Sequence, residues 1–151
     1  MSKKITSVNH VNELVYSFAN VHQVPVTKMV VGGGAALMAH GLRDETDDIN
    51  VWIEEGYFAR LAEREKVICH PMTDTAFKID HAGIEFWIRK LNPYHQYEHM
   101  GVLEIYGVLA LIVQKRGGIL RPERPVVKRE QDRQDLVKLD VIYRERNKVR
   151  A

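Results

Sequence analysis

Residues 32–53 read Gly32-Gly33-Gly34-Ala35-Ala36-Leu37-Met38-Ala39-His40-Gly41-Leu42-Arg43-Asp44-Glu45-Thr46-Asp47-Asp48-Ile49-Asn50-Val51-Trp52-Ile53. A glycine turn opens a short helix of small residues. A polar loop follows, and then an apolar strand with Asp48 near its start and Asn50 two residues on. Side chains alternate faces along a strand, so Asp48 and Asn50 point the same way. Two oxygen-bearing side chains beside a glycine turn at a helix start suggest a metal-plus-phosphate site.

Outward from this block, Val11, Leu14, Val15 and Phe18 recur at helical spacing and predict an amphipathic helix over 9–22, ended by Pro25. Lys28 to Val31 is a short apolar strand running into the glycines. Ala35 to His40 is the small-residue helix, with Gly41 as its C-terminal stop. Asp47 to Ile53 is the second strand, and 55–66 a second amphipathic helix. Val67 to Cys69 suits a short strand. Ala76–Asp80 and Ile84–Arg89 flank a glycine-containing hairpin loop. Residues 91–100 read as a polar, aromatic loop, with His95 and His99 in it. Val102–Gln114 is a mainly apolar helix, or a short strand leading into one, interrupted by Gly117-Gly118. Residues 121–125 form an extended linker, since each proline disfavours helix in the residue before it. Residues 128–147 are a charged helix with Leu136, Leu139, Val141, Ile142 and Tyr143 partly inward. This order predicts one α/β (α+β) domain over 1–151: a small mixed β-sheet with helices packed on it.

A chain of 151 residues with 45% hydrophobic and 28% charged content suits one soluble domain with a core. No apolar run is long enough to span a membrane. The start, M-S-K-K-I-T-S-V-N-H, lacks the apolar region of a secretory signal. The single Cys69 excludes an internal disulfide and a cysteine zinc cage. The expected location is cytoplasmic. Residues 115–151 hold 12 Lys/Arg and 6 Asp/Glu, whereas 1–114 hold 10 and 14. The basic C-terminal segment attracts phosphates or nucleic acid, or is a solvated helix face.

Three constellations carry chemistry. The glycine run lets an anion approach backbone N–H groups, although no Gly-Lys-Ser/Thr follows and G-x-G-x-x-G does not fit. Asp48 and Asn50 supply hard oxygen donors, Asn50 only a neutral one. Their other reading is a strand start beside a satisfied amide. Glu85 interrupts the apolar run Ile84-Glu85-Phe86-Trp87-Ile88. An acid there is exposed, paired or metal-bound, or it is an edge-strand charge that blocks aggregation. Asp80 is a weaker candidate on the partner strand.

Together these pieces resemble the nucleotidyltransferase fold, most closely its minimal bacterial members and the AbiEii-like proteins of toxin–antitoxin and phage-defence systems. Those families show a strand, G-G-x-A-L, a short helix, G-L-R, a threonine, and D-[IL]-D on the next strand. Here the matching residues are Gly33 to Leu37, Gly41-Leu42-Arg43, Thr46 and Asp48-Ile49-Asn50. Glu85 matches the third carboxylate on a later strand. Lys115, Arg124, Asp135 and Leu136 resemble the later helical residues. The resemblance implies transfer of a nucleoside monophosphate from an NTP to an RNA, protein or small-molecule acceptor. It implies that Asp48, Asn50 and Glu85 hold Mg²⁺ or Mn²⁺ and carry catalysis. Gly33, Gly34, Arg43, Thr46 and Lys115 would bind the nucleotide. Asn50 stands where the pattern has a carboxylate, which leaves open a catalytically degenerate module that binds nucleotide, RNA or protein. A cognate toxin or antitoxin is a third kind of partner.

Overall fold

The structure is a computed structural model that describes residues 4–72, 74–91, 97–100 and 103–150. It is a mixed α/β fold. In chain order the elements are α1 (Val8–His22), β1 (Met29–Gly32), α2 (Gly33–Ala39), β2 (Asp48–Ile53), α3 (Glu55–Arg64), β3 (Phe77–His81), β4 (Ile84–Lys90), β5 (Tyr97–Met100), β6 (Leu103–Tyr106), α4 (Val108–Ile119) and α5 (Val126–Arg150). The strands form one sheet in the order β3-β4-β2-β1-β6-β5. The β1–β2, β3–β4 and β5–β6 pairs are antiparallel, while β2–β4 and β1–β6 are parallel.

Local chemistry explains the elements around the glycine run. Ser7 caps α1, its hydroxyl accepting from the His10 N–H at 3.1 Å. Gln23, in the left-handed region, ends that helix two residues before Pro25. Beyond α2, Gly41 has φ +75°. Its N–H donates to the Met38 carbonyl at 2.9 Å and that of Leu42 to Leu37 at 2.8 Å. This paired closure needs a left-handed residue, which glycine supplies without strain. Leu37 and Leu42 then pack in the same apolar cluster.

Alternation in β2 and β4 divides the sheet into two faces. Ile49, Val51, Ile53, Ile84, Phe86 and Ile88 are buried with Val15 and Phe18 of α1 and Phe58 and Leu61 of α3. Phe18 and Phe86 stack with ring centroids 4.4 Å apart. The other face is covered unevenly. Val30 and Tyr106 lie in a second cluster with Leu111 and Ile112 of α4 and Leu139 of α5. Asp48, Asn50, Glu85 and Trp87 stay half-buried or exposed.

Ion pairs hold α5 in place. Asp135 binds Arg43 at 2.5 Å and Lys115 at 3.2 Å. Asp132 binds Lys115 at 3.0 Å and Arg124 at 3.2 Å. Both aspartates are buried. A Cβ on Gly118 would lie 2.9 Å from Asp132 Oδ2, so the bare glycine makes room for the network.

Several sequence expectations are corrected. Residues 67–69 form no strand: Val67 packs against the core while Ile68 is exposed, so the segment has no partner edge. Residues 97–100, expected as loop, form β5, because backbone pairing to β6 holds an edge strand whatever its polarity. The earlier part of that loop, 92–96 with His95, lies outside the described residues. Gly117-Gly118 do not interrupt α4, which runs to Ile119. A turn closed by Arg124 N–H on the Arg121 carbonyl replaces the extended linker. Val141 and Tyr143 are exposed, because the buried stripe of α5 follows Asp132, Asp135 and Leu139. The strand before α4, one of two alternatives for 102–114, is present as β6.

Replacing Asp135 with alanine takes the carboxylate partner from Arg43 and leaves Lys115 with Asp132 alone, in a poorly solvated place. The expected loss is about 3–5 kcal/mol, read as a lower midpoint in denaturant unfolding. An unchanged midpoint would show that the network does not hold α5.

Candidate functional site

Three strands build one polar row. Asp48 of β2 pairs in register with Glu85 of β4, and Glu85 with Asp80 of β3. The next row places Lys78, Trp87, Asn50 and Gly32 side by side. Residues opposed in register share a face, so Asp48, Asn50 and Glu85 meet on the half-open face. Because β4 is paired on both sides, Glu85 is not an edge-strand guard. Its side chain is 49% exposed and lies 3.4 Å from Lys78 Nζ. An open depression of about 510 Å³ beside it is lined by Asp47, Lys78, Asp80, Gly83 and Glu85.

Each glycine of the run meets a different neighbour. A Cβ on Gly32 would fall 2.3 Å from the Trp52 ring, and one on Gly34 2.5 Å from both Arg43 and Thr46. Gly33 has φ +59°, and its Cβ would lie 2.7 Å from Asn50 Nδ2. The turn therefore rests directly on Asn50. Thr46 is buried. Its backbone pairs with Ile5 at 2.7 and 3.0 Å, and its hydroxyl donates to the Asp48 carbonyl at 3.2 Å.

Burial pushes the Asp48 carboxyl above the usual carboxylate value, with the Asp47 and Glu85 charges adding to it and Lys128 and Arg43 opposing it. Two acids in register with an amide beside them form a hard-oxygen donor set. Among the described residues, no group of three or more His, Cys, Asp or Glu could hold a metal ion. The oxygen donors that this row offers a ligand are the carboxylates of Asp48 and Glu85 and the side-chain amide of Asn50.

Of the residues expected at the nucleotide, Gly33 and Gly34 flank the polar row. Arg43 and Lys115 instead face Asp135 and Asp132. Sequence reading missed Arg89, whose guanidinium lies 5.5 Å from the Trp52 ring centre and 3.1 Å from Asp74. Burial and the like charges of Arg121 and Arg124 disfavour its ionised form. It also missed Asp132 and Lys128. The spacing of Asp132, Asp135 and Leu139 was the available signal. No known protein family, curated protein or solved structure matches the chain.

Two predictions concern this geometry. Gly33→Ala forces a left-handed alanine against Asn50, at a cost of about 1–2 kcal/mol for the backbone alone, visible as a lower melting temperature. Asp48 is the opposite case. A carboxyl whose folded value is raised binds its proton more tightly in the folded state, so its charge costs stability as pH rises past the ordinary value of 3.8. Asp48→Asn should melt higher than the unaltered chain at neutral pH, and that gain should shrink as pH falls towards 3.8. A pH series of thermal melts reads both limbs. A gain independent of pH would mean that the desolvated charge is not its source.

Proposed function

We propose that this chain is a nucleotidyltransferase-like protein that binds an NTP with one Mg²⁺ or Mn²⁺ at the heads of β2 and β4 and transfers its nucleoside monophosphate to an acceptor hydroxyl. The observation that carries the reading is the parallel register setting Asp48 beside Glu85, with Asn50 on the same face under the glycine turn. Burying Asp48 among like charges is costly to the fold, and such cost is characteristic of groups kept for a site.

In this reading Asp48 and Glu85, with the Asn50 amide oxygen, hold the cation. When bound, it offsets charge on the phosphates and the leaving oxygen. Gly33 and Gly34 let the triphosphate lie close to the backbone. Trp87, beside Asn50, walls the row with an aromatic ring. Glu85, exposed and accepting a hydrogen bond from Lys78, takes the proton of the attacking hydroxyl. That oxygen forms a bond to the α-phosphorus, the bond from the α-phosphorus to the bridging oxygen breaks, and pyrophosphate leaves. The acceptor class is an RNA, a protein or a small molecule. A toxin–antitoxin or phage-defence setting follows from the resemblance alone.

Asn50 favours a second reading, in which the cleft binds nucleotide or RNA without transfer. A neutral amide attracts a cation less than a carboxylate does. The two readings separate in one assay, transfer of label from α-phosphate-labelled NTPs with Mg²⁺ or Mn²⁺ in cell lysate. Transfer by the unaltered chain that is lost in Asp48→Ala is the expected result. Label only with Asn50→Asp would assign the chain to the binding reading. No label with any of the three would overturn the transferase.

A further inference from the structure

Among the described residues, the open face of β2, β3 and β4 carries two aromatic rings, and they are held differently. Trp52 is committed. Its ring meets Tyr106 edge-on at 4.9 Å, has the Arg89 guanidinium 5.5 Å from its centre, and lies against the bare Gly32. Trp87 is half-buried and packs in neither apolar cluster. Among the described residues its indole has no ring contact, no cation over it and no hydrogen bond. Core packing therefore does not account for an indole at this position.

Strand register fixes where that ring stands. Trp87 is the Cα partner of Asn50 on one side and of Lys78 on the other. Asn50 lies under Gly33, and Lys78 lines the open depression beside Glu85. Trp87 is thus one strand, about 4.8 Å, from the residue that supports the glycine turn. It follows Glu85 by two residues on the same face, about 7 Å along β4. A flat apolar ring beside a few convergent polar groups is the makeup of a small-molecule site. In a nucleotide, an aromatic base is joined to the α-phosphate through a ribose, which bridges a gap of that order. A nucleotide whose α-phosphate meets a cation on Asp48 and Glu85 can therefore set its base on Trp87 without leaving the face.

We propose that the indole of Trp87 stacks on the nucleobase of the nucleotide bound in this cleft. This rests on the nucleotide-binding reading above. Stacking needs only the π-face that every base has, so the contact holds the base without choosing among bases. The bases of a nucleic-acid strand share that chemistry. A strand, however, stacks successive bases on successive rings, and with Trp52 committed this face offers one. One ring fits a mononucleotide.

The test is calorimetric titration of the full chain, unaltered and as Trp87→Leu and Trp87→Phe, with Mg²⁺–ATP, Mg²⁺–tripolyphosphate and a single-stranded oligonucleotide. Tripolyphosphate supplies the phosphates without the base. Leucine keeps apolar cover on the strand and removes the π-face. Trp87→Leu should bind ATP roughly ten-fold or more weakly, yet bind tripolyphosphate as tightly as the unaltered chain does, which also shows that the variant is folded. Trp87→Phe should retain most of the ATP affinity. Equal ATP affinity of Trp87→Leu and the unaltered chain would overturn this inference and leave nucleotide binding intact. So would an equal loss for ATP and tripolyphosphate, or a loss confined to the oligonucleotide. No binding of either phosphate compound by the unaltered chain would overturn the inference together with the reading beneath it.

Discussion

Two buried carboxylates, Asp132 and Asp135, stand one helical turn apart on α5 and gather cations from three other parts of the chain: Arg43 after α2, Lys115 of α4 and Arg124 before α5. Apolar packing adds to this hold: Leu139 is buried, and Leu136 and Ile142 pack against the same cluster, while most of the helix surface is charged. A buried ion pair is intolerant of displacement, because each charge left alone keeps its full desolvation penalty. The network therefore specifies where α5 lies more sharply than its modest apolar contact does.

The glycines take a double meaning from this. Gly34 leaves space for Arg43 and Thr46, and Gly118 leaves space for Asp132 and Arg124. A glycine motif that suggests a phosphate cradle is at the same time a packing requirement, since the arginine reaching Asp135 must pass where a side chain would be. Both uses are compatible, because backbone N–H groups facing a ligand do not compete with what lies behind them.

On the open face the balance runs the other way. Asp48 carries a charge that its surroundings disfavour, and a half-covered strand leaves it reachable from solvent. The fold thus spends stability on one carboxylate while stabilising two others in a complete network. Asn50, directly under the glycine turn, adds an oxygen donor without adding to the repulsion between Asp48 and Glu85.

The sequence alone determined the elements whose periodicity is strong, from the α1 helix through the hairpin of β3 and β4, together with the glycine turn and the shared face of Asp48 and Asn50. Those features follow from backbone geometry within a few residues, which the chain encodes directly. Only the tertiary structure decided that Glu85 stands beside Asp48, since register between distant strands depends on how whole faces pack. The strand β5 was hidden for the same reason: an edge strand draws its hydrogen bonds from a neighbour, not from its own pattern. Likewise, Lys115 looks available along the chain, yet it is bound between two aspartates of α5, because long-range charge pairing is a choice no local spacing records.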